Sequence, residues 1–241
     1  MDFEASANER RIRSFVLRAG RMSAAQKRSY ENLFPVYGIH QNETGLINNS
    51  IFFGNNAPMV IEIGFGMGMA TVDIAEKHPD TNYLGIEVYR PGIGRLLWEI
   101  EKRKISNIRI IEGDAVEIIQ EKIRDNSVAA FHIFFPDPWP KKRHHKRRLL
   151  TRPFTDLLSM KLIPGAYIYA VSDWTDYGDW ALRELSNTPT LVNKYGSYAE
   201  PQKWRPRTEF EKKGLLKNHE IRELFFIKNS LPDGATIERK E

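Results

Sequence analysis

The chain contains no cysteine. A disulfide framework and a thiolate metal site are both excluded. It also has no apolar run near the ~20 residues that a membrane-spanning helix needs. Its first residues, Met1-Asp2-Phe3-Glu4-Ala5-Ser6, lack the basic and apolar regions of a secretory signal. A soluble, cytoplasmic protein without a membrane partner is therefore expected. Internal repeats and low-complexity segments are missing too. His144 and His145 have no helical His-x-x-x-His spacing and no carboxylate triad around them, so no metal is expected. What is present is 241 residues, enough for one large domain with its own core.

The net charge of +5 is modest, but it is unevenly placed. Lys and Arg concentrate over 10–28, 141–152 and 203–217, with balanced or acidic sequence between. Any one cluster reads equally as a solvated face; three together are the footprint of a phosphate-binding surface. Residues 10–30 carry much arginine and little helical periodicity, so 1–30 reads as a basic, partly disordered arm and 31–241 as a single domain. Pro35, Gly38, Gly45 and Gly54 make the stretch to about residue 57 read as loops.

A regular alternation begins at Met59. Apolar strands are expected over 59–63, 83–88, 108–111, 128–135 and 166–171, with helices between them. Ile93, Leu96, Leu97 and Ile100, at i, i+3, i+4 and i+7, form one apolar helical face. The end differs: 191–198 and 220–228 read as strands joined by a basic loop, an antiparallel addition at one edge. The pattern predicts a Rossmann-like α/β fold, a mostly parallel sheet with helices on both faces.

The first strand runs into Glu62-x-Gly64-x-Gly66-x-Gly68. A dinucleotide fingerprint needs Gly or Ala where this chain has Met69, so the nicotinamide pattern fails. Glu87 closes the second strand, where a carboxylate accepts from ribose hydroxyls. Asp114 closes the third, within reach of an adenine amine. Singly, Glu87 and Asp114 are as readily loop carboxylates. Jointly with Glu62, which has no Lys or Arg nearby in sequence, they describe S-adenosyl-L-methionine better than NAD: an adenosine to bind and no pyrophosphate to cradle. Glu112 and Glu117 read as solvated.

The fourth strand ends in Phe134-Phe135-Pro136-Asp137-Pro138-Trp139-Pro140, followed by Lys141-Lys142-Arg143-His144-His145-Lys146-Arg147-Arg148. Three prolines keep the turn out of a central ladder and hold Asp137 and Trp139 beyond the sheet edge. The cationic run beside them suits a polyanion. Trp139 fits a base-stacking platform and a hydrophobic plug equally. Asp173 fits a helix cap or a functional acid, and Thr208-Glu209-Phe210-Glu211 has the spacing of a helix-start box.

Taken together, residues 60–68, Gly85-Ile86-Glu87-Val88, residues 135–139 and Thr208-Glu209-Phe210-Glu211 resemble the bacterial tRNA (guanine-N7-)-methyltransferase family. The resemblance runs from about Arg13 to Lys228. It implies a seven-stranded class I methyltransferase sheet and methyl transfer from S-adenosyl-L-methionine to N7 of guanine 46 in the tRNA variable loop. It implies cofactor contacts from Glu62, Gly64, Gly66, Gly68, Glu87, Asp114 and Asp137, the last also catalytic. Lys141, Asp173, Thr208, Glu209, Phe210 and Glu211 would bind substrate. Arg143, His144, His145, Lys146, Arg147 and Arg148 would contact RNA. Guanine N7 carries an in-plane lone pair, so Asp137 is expected to orient and stabilise rather than remove a proton. The rival readings are an amino-methyltransferase of adenine or cytosine, whose Asp/Asn-Pro-Pro-Tyr/Trp turn matches imperfectly here, and a non-enzymatic RNA-binding protein. Both a monomer and a homodimer fit the pattern.

Overall fold

The apolar, β-branched runs of the sequence are the strands of one sheet, buried on both faces. The structure, a computed structural model, describes residues 12–16, 20–43, 45–216 and 219–229, without the side chains of Glu209, Phe210 and Lys213. The strands are β1 (Gly38–Ile39), β2 (Met59–Ile63), β3 (Asn82–Glu87), β4 (Ile108–Glu112), β5 (Val128–Phe134), β6 (Leu162–Ser172), β7 (Leu191–Asn193) and β8 (Arg222–Lys228). Their order is β1-β4-β3-β2-β5-β6-β8-β7. Every pairing from β1 to β6 is parallel, and β8 runs antiparallel to both β6 and β7.

Among the described residues the sheet thus has eight strands where seven are expected. The extra one is the two-residue β1, lying in the stretch read as loops; two residues carry no periodicity to detect. The antiparallel strand also sits one place in from the edge, because β8 inserts between β6 and β7.

The helices are α1 (Ala24–Tyr37), α2 (Asn49–Phe52), α3 (Met69–Lys77), α4 (Arg90–Arg103), α5 (Ala115–Lys122), α6 (Arg152–Lys161), α7 (Thr175–Ser186) and α8 (Glu209–Leu215). On one face of the sheet Ile61, Leu84, Phe131 and Ile168 pack with Ile119, Leu158 and Leu185 from α5, α6 and α7. On the other, Val60, Ile110 and Ala130 meet Val72, Ile93, Leu97 and Ile100 from α3 and α4. Each fully buried Leu or Ile contributes about 1.5–3 kcal/mol of transfer free energy. Among the described residues no helix is long and apolar enough to cross a membrane.

Helix α1 begins at Ala24, inside the stretch read as lacking helix. Its buried residues are few, Ser29 and Phe34, so its periodicity is weak. What starts it is a capping box: Ser23 Oγ accepts from Gln26 N, and Gln26 Oε1 accepts from Ser23 N. What holds it is backbone contact with α4. A Cβ at Gly94 would lie 2.5 Å from the Gln26 carbonyl oxygen, so only glycine allows that approach. Residues 1–11 of the expected arm lie outside the described residues.

The connections after β2 and β3 build the sheet one way; the one after β4 crosses back to β5, and those after β5 and β6 continue the other way. The switch point falls between β2 and β5. Open α/β sheets bind ligands beyond the carboxyl ends of the strands at such a place.

Candidate functional site

Gly64, Gly66 and Gly68, just past the end of β2, have φ of 73°, 58° and 72°. Side chains avoid this left-handed region, which accounts for glycine at alternate positions. Glu87 organises the loop from the next strand. Its Oε2 accepts from Gly66 N at 2.7 Å, and its Oε1 accepts from Val88 N at 2.7 Å and Tyr89 N at 3.0 Å. Burial pushes its pKa above the ordinary carboxylate value, the three amides pull it back, and the charge of Asp137 raises it again. Glu87 and Asp137 therefore act on the same space, from opposite sides of β2.

Glu62 lies beneath the loop and is 3% exposed. Burial pushes its carboxyl up to about 7; the Thr71 hydroxyl opposes this and the charge of Glu87 adds to it. Glu62 Oε2 and Thr71 Oγ1 have no well-formed hydrogen bond among the described residues. A buried acid normally has its partners. One left open at the switch point suits a cationic ligand, and the ammonium end of S-adenosyl-L-methionine meets that requirement. The register sets His132 directly opposite Glu62 on β5. His132 was missed in the sequence, where its only signal is a histidine inside an apolar strand. Burial drives it down to about 3, so it is neutral. Its Nε2 lies 3.1 Å from Tyr167 Oη, and its ring stacks on Trp204 at 4.7 Å.

Asp114 combines two of its readings. Its Oδ1 accepts from Val116 N at 2.9 Å and so caps α5, yet it also lines two cavities, of about 630 and about 700 Å³. The first is walled by Val88, Gly113, Arg13 and Phe15. Glu112, read as solvated, instead accepts from Arg90 Nε at 2.6 Å and from the Tyr30 hydroxyl. Burial, then this carboxylate, raises Tyr30 to about 12.

Beyond β5 the chain makes a strained turn. Phe135 and Trp139 have φ of 53° and 45°; left-handed conformations of such residues cost about 1–3 kcal/mol each and cluster at functional sites. The Phe135 amide donates to the Val171 carbonyl at 2.8 Å and anchors the turn on β6. Asp137 is exposed at its crest. Trp139 is half-buried and donates its Nε1–H to the Ser14 carbonyl at 3.0 Å, with the Arg147 guanidinium 4.9 Å from its ring centroid. It is thus neither an open platform nor a core plug. It tethers residues 12–16 across the strand ends.

The basic block forms a short 3-10 helix, Lys142–Arg147. Lys141, Lys142, Arg143 and Lys146 are exposed, while His144, His145 and Arg147 are half-buried. Partial desolvation and the surrounding cations hold His144 below its usual pKa. Arg148 departs from the expectation that it contacts RNA: it is 2% exposed. Its Nε donates to the Pro138 carbonyl at 3.1 Å, its Nη2 pairs with Asp176, and it lies over the rings of Tyr177 and Trp180. It fastens the turn to α7.

The remaining candidates gather beyond the end of β6. Asp173 does not cap α7, whose N-cap is Trp174. Its Oδ2 is 3.5 Å from His219 Nδ1 and faces Gly214 of α8. Thr208 caps α8, its Oγ1 accepting from Glu211 N at 3.1 Å. Glu211, expected to touch substrate, is buried and held by Arg205 through contacts of 2.6 and 3.1 Å. A guanidinium occupies both its oxygens, so any part it plays is through α8. The side chains of Glu209 and Phe210 lie outside the described residues. Among the described residues no group of three or more His, Cys, Asp or Glu is set to hold a metal ion.

Residues 56–224 match a protein family described as "Putative methyltransferase". The chain is similar to the tRNA (guanine-N(7)-)-methyltransferase of Nitrosospira multiformis, 47% identical over 219 residues that span 91% of this chain and 95% of that one. The same enzyme of Nitrosomonas eutropha is 48% identical over 217 residues, 90% and 96% of the two chains. Among solved structures, the 16S rRNA methyltransferase KamB superposes with a TM-score of 0.55 at 11% identity, covering 78% of this chain and 97% of that one. That likeness is one of fold alone.

Proposed function

The chain belongs to the tRNA (guanine-N(7)-)-methyltransferase family, and from that premise we propose that it transfers a methyl group from S-adenosyl-L-methionine to N7 of guanine 46 in the variable loop of tRNA. The observation that carries the reading is the buried Glu62 carboxyl at the switch point of the sheet, whose Oε2 has no well-formed hydrogen bond among the described residues.

Each acid has a task that its surroundings suit. Glu62 receives the ammonium of the donor's amino-acid end. Glu87 is held in one orientation by three amides and keeps lone pairs for the ribose hydroxyls. Asp114 faces the adenine end, with Val88 on the same wall. The bound donor supplies a methyl carbon on a positively charged sulfur. The N7 lone pair forms the new C–N bond as the C–S bond breaks, and the positive charge passes to the purine. No proton leaves N7, so the protein's contribution is alignment and exclusion of water.

Asp137 is the electrostatic component. From the crest of the turn its carboxylate stabilises the charge that develops on guanine, and it accepts from the N1–H and N2–H edge. The strained backbone at Phe135 and Trp139, fastened by Val171 and Arg148, keeps that carboxylate from drifting. The exposed cations Lys141, Lys142, Arg143 and Lys146 take the phosphates beside the target base. A cytoplasmic site of action follows from a tRNA substrate.

The test is incubation with methyl-labelled S-adenosyl-L-methionine and tRNA lacking 7-methylguanosine, followed by strand cleavage selective for that base. A single cut at guanine 46 is the expected result. Label on adenine N6 or cytosine, or no label, would overturn the reading.

A further inference from the structure

Arg205 lies outside every motif in the sequence, yet it is a buried cation paired with two acids. Its side chain is 2% exposed. Nη1 donates to Glu211 Oε2 at 2.6 Å, and Nη2 donates to Glu211 Oε1 at 3.1 Å and to Glu223 Oε1 at 2.5 Å. The other oxygen of Glu223, on β8, accepts from the Tyr169 hydroxyl on β6. One planar guanidinium thus ties the start of α8 to two strands. Lysine, a single point donor, cannot form that fork.

Helix α8 needs such a tie. It has seven residues, Glu209–Leu215, well below the ~12–15 at which an isolated helix holds itself. The Thr208 hydroxyl caps it, but the Glu211 side chain turns to Arg205 rather than back to the Thr208 amide. Its outer side is open to solvent: Leu216, at the C-cap, is 85% exposed. Its inner side meets Asp173, where a Cβ on Gly214 would lie 3.2 Å from Oδ2. The His219 amide donates to the Gly214 carbonyl at 3.0 Å, and its ring lies beside the same Asp173. Thr208 caps α8, Asp173 packs against its inner side, and the start of the helix is held through Glu211.

We infer that Arg205 is a positioning residue for the RNA side of the site: through Glu211 it seats α8 against Asp173, and its loss weakens use of tRNA while leaving cofactor binding intact. The inference rests on the tRNA methyltransferase reading. Its cofactor clause follows from separation in the fold. Glu62, Glu87 and Asp114 lie on or just after β2, β3 and β4, whereas Arg205 engages β6, β8 and α8.

The experiment compares wild type, Arg205→Lys, Glu211→Gln and the double variant, for tRNA KM, kcat, cofactor Kd and backbone amide exchange in α8. Wild-type labelling of tRNA checks the functional reading by itself; the ratios among variants check this inference. Expected are a tRNA KM raised roughly tenfold in each single variant and a cofactor Kd within about twofold of wild type. The double variant should be no worse than the worse single one, and amide exchange in α8 should quicken in all three. Glu211→Gln keeps the shape of the side chain, and so reports on the same contact should Arg205→Lys fail to fold. An unchanged tRNA KM, a parallel loss of cofactor affinity, or single effects that simply multiply in the double variant would each overturn it.

Discussion

Replacing Glu62 by Gln tests the floor of the site without a substrate. In the ligand-free protein, burial raises this carboxyl from its ordinary 4.5 to about 7. The folded form therefore holds its proton more tightly than the unfolded chain does. Between pH 4.5 and 7 the native state binds more protons, so stability falls as pH rises through that window. At about 1.36 kcal/mol per pH unit, the fall totals about 3 kcal/mol. Glutamine keeps the shape and has no charge to lose. The difference in stability between Glu62→Gln and wild type should be flat below pH 4.5, grow through the window and level off above about 7. For a chain of this size that is roughly 6–12 °C in melting temperature. Any penalty for the unpartnered amide is independent of pH and shifts the whole curve. Glu223, also raised by burial, contributes equally to both proteins and cancels; Glu87, whose charge reaches Glu62, cancels only in part. Thermal melts from pH 4 to 8.5 give the curve, and parallel melting curves for the two proteins would refute the reasoning. With S-adenosyl-L-methionine the sign reverses. Binding ionises Glu62, so wild type should release a proton near pH 6.5, seen by titration calorimetry in buffers of different ionisation enthalpy, and Glu62→Gln should release none from this site.

Three further outcomes separate the parts of the turn. Arg148→Ala should cost about 2–3 kcal/mol in denaturant melts, by orphaning the Pro138 carbonyl and emptying the space over Tyr177 and Trp180. The salt dependence of tRNA binding should not change; lost salt dependence with unaltered stability would return Arg148 to the RNA surface. Changing Lys141, Lys142, Arg143 and Lys146 together to Ala should reduce the slope of log K against log salt, by about 0.9 for each phosphate released. An identical slope would make that block a solvated face. Trp139→Phe keeps an aromatic ring at the position but removes the indole N–H that donates to the Ser14 carbonyl. Proteolysis after residues 12–16 should then quicken at unchanged cofactor affinity, and an unaltered cleavage rate would show that the tether does not hold this segment.

The parallel half of the sheet was legible because strands buried on both faces leave continuous apolar runs, as at 59–63 and 128–134. The helices on them show an i, i+3, i+4 stripe, as Ile93, Leu96, Leu97 and Ile100 do. The glycine loop was legible for a similar reason: positive φ at alternate positions admits little else. Helix α1 and strand β1 were not, because their information is elsewhere. The helix depends on one reciprocal cap and on a glycine of α4, seventy-one residues on from Ser23, and two residues of strand have no period.

Charge was the least reliable guide. Arg147 and Arg148 are adjacent in an unbroken cationic run, yet one is half-buried on Trp139 and the other is sealed against α7. Composition counts both as surface. What separates them is the partner: Asp176, twenty-eight positions later, with Tyr177 and Trp180 on the same helix. The same holds for Arg205, whose neighbours Lys203 and Arg207 place it in a basic loop, while Glu211 and Glu223 draw it into the interior. A buried guanidinium is recognised only once its acids are known to converge, and convergence belongs to the fold. The acids of the proposed cofactor site escape this problem because each lies on or just after a strand of known order. Strand ends in a parallel sheet lie side by side, so Glu87, Asp114 and Asp137 could be gathered at one edge from periodicity alone. Residues on the late, antiparallel side have no such rule, and for that reason the bolt of α8 had to be found in the structure.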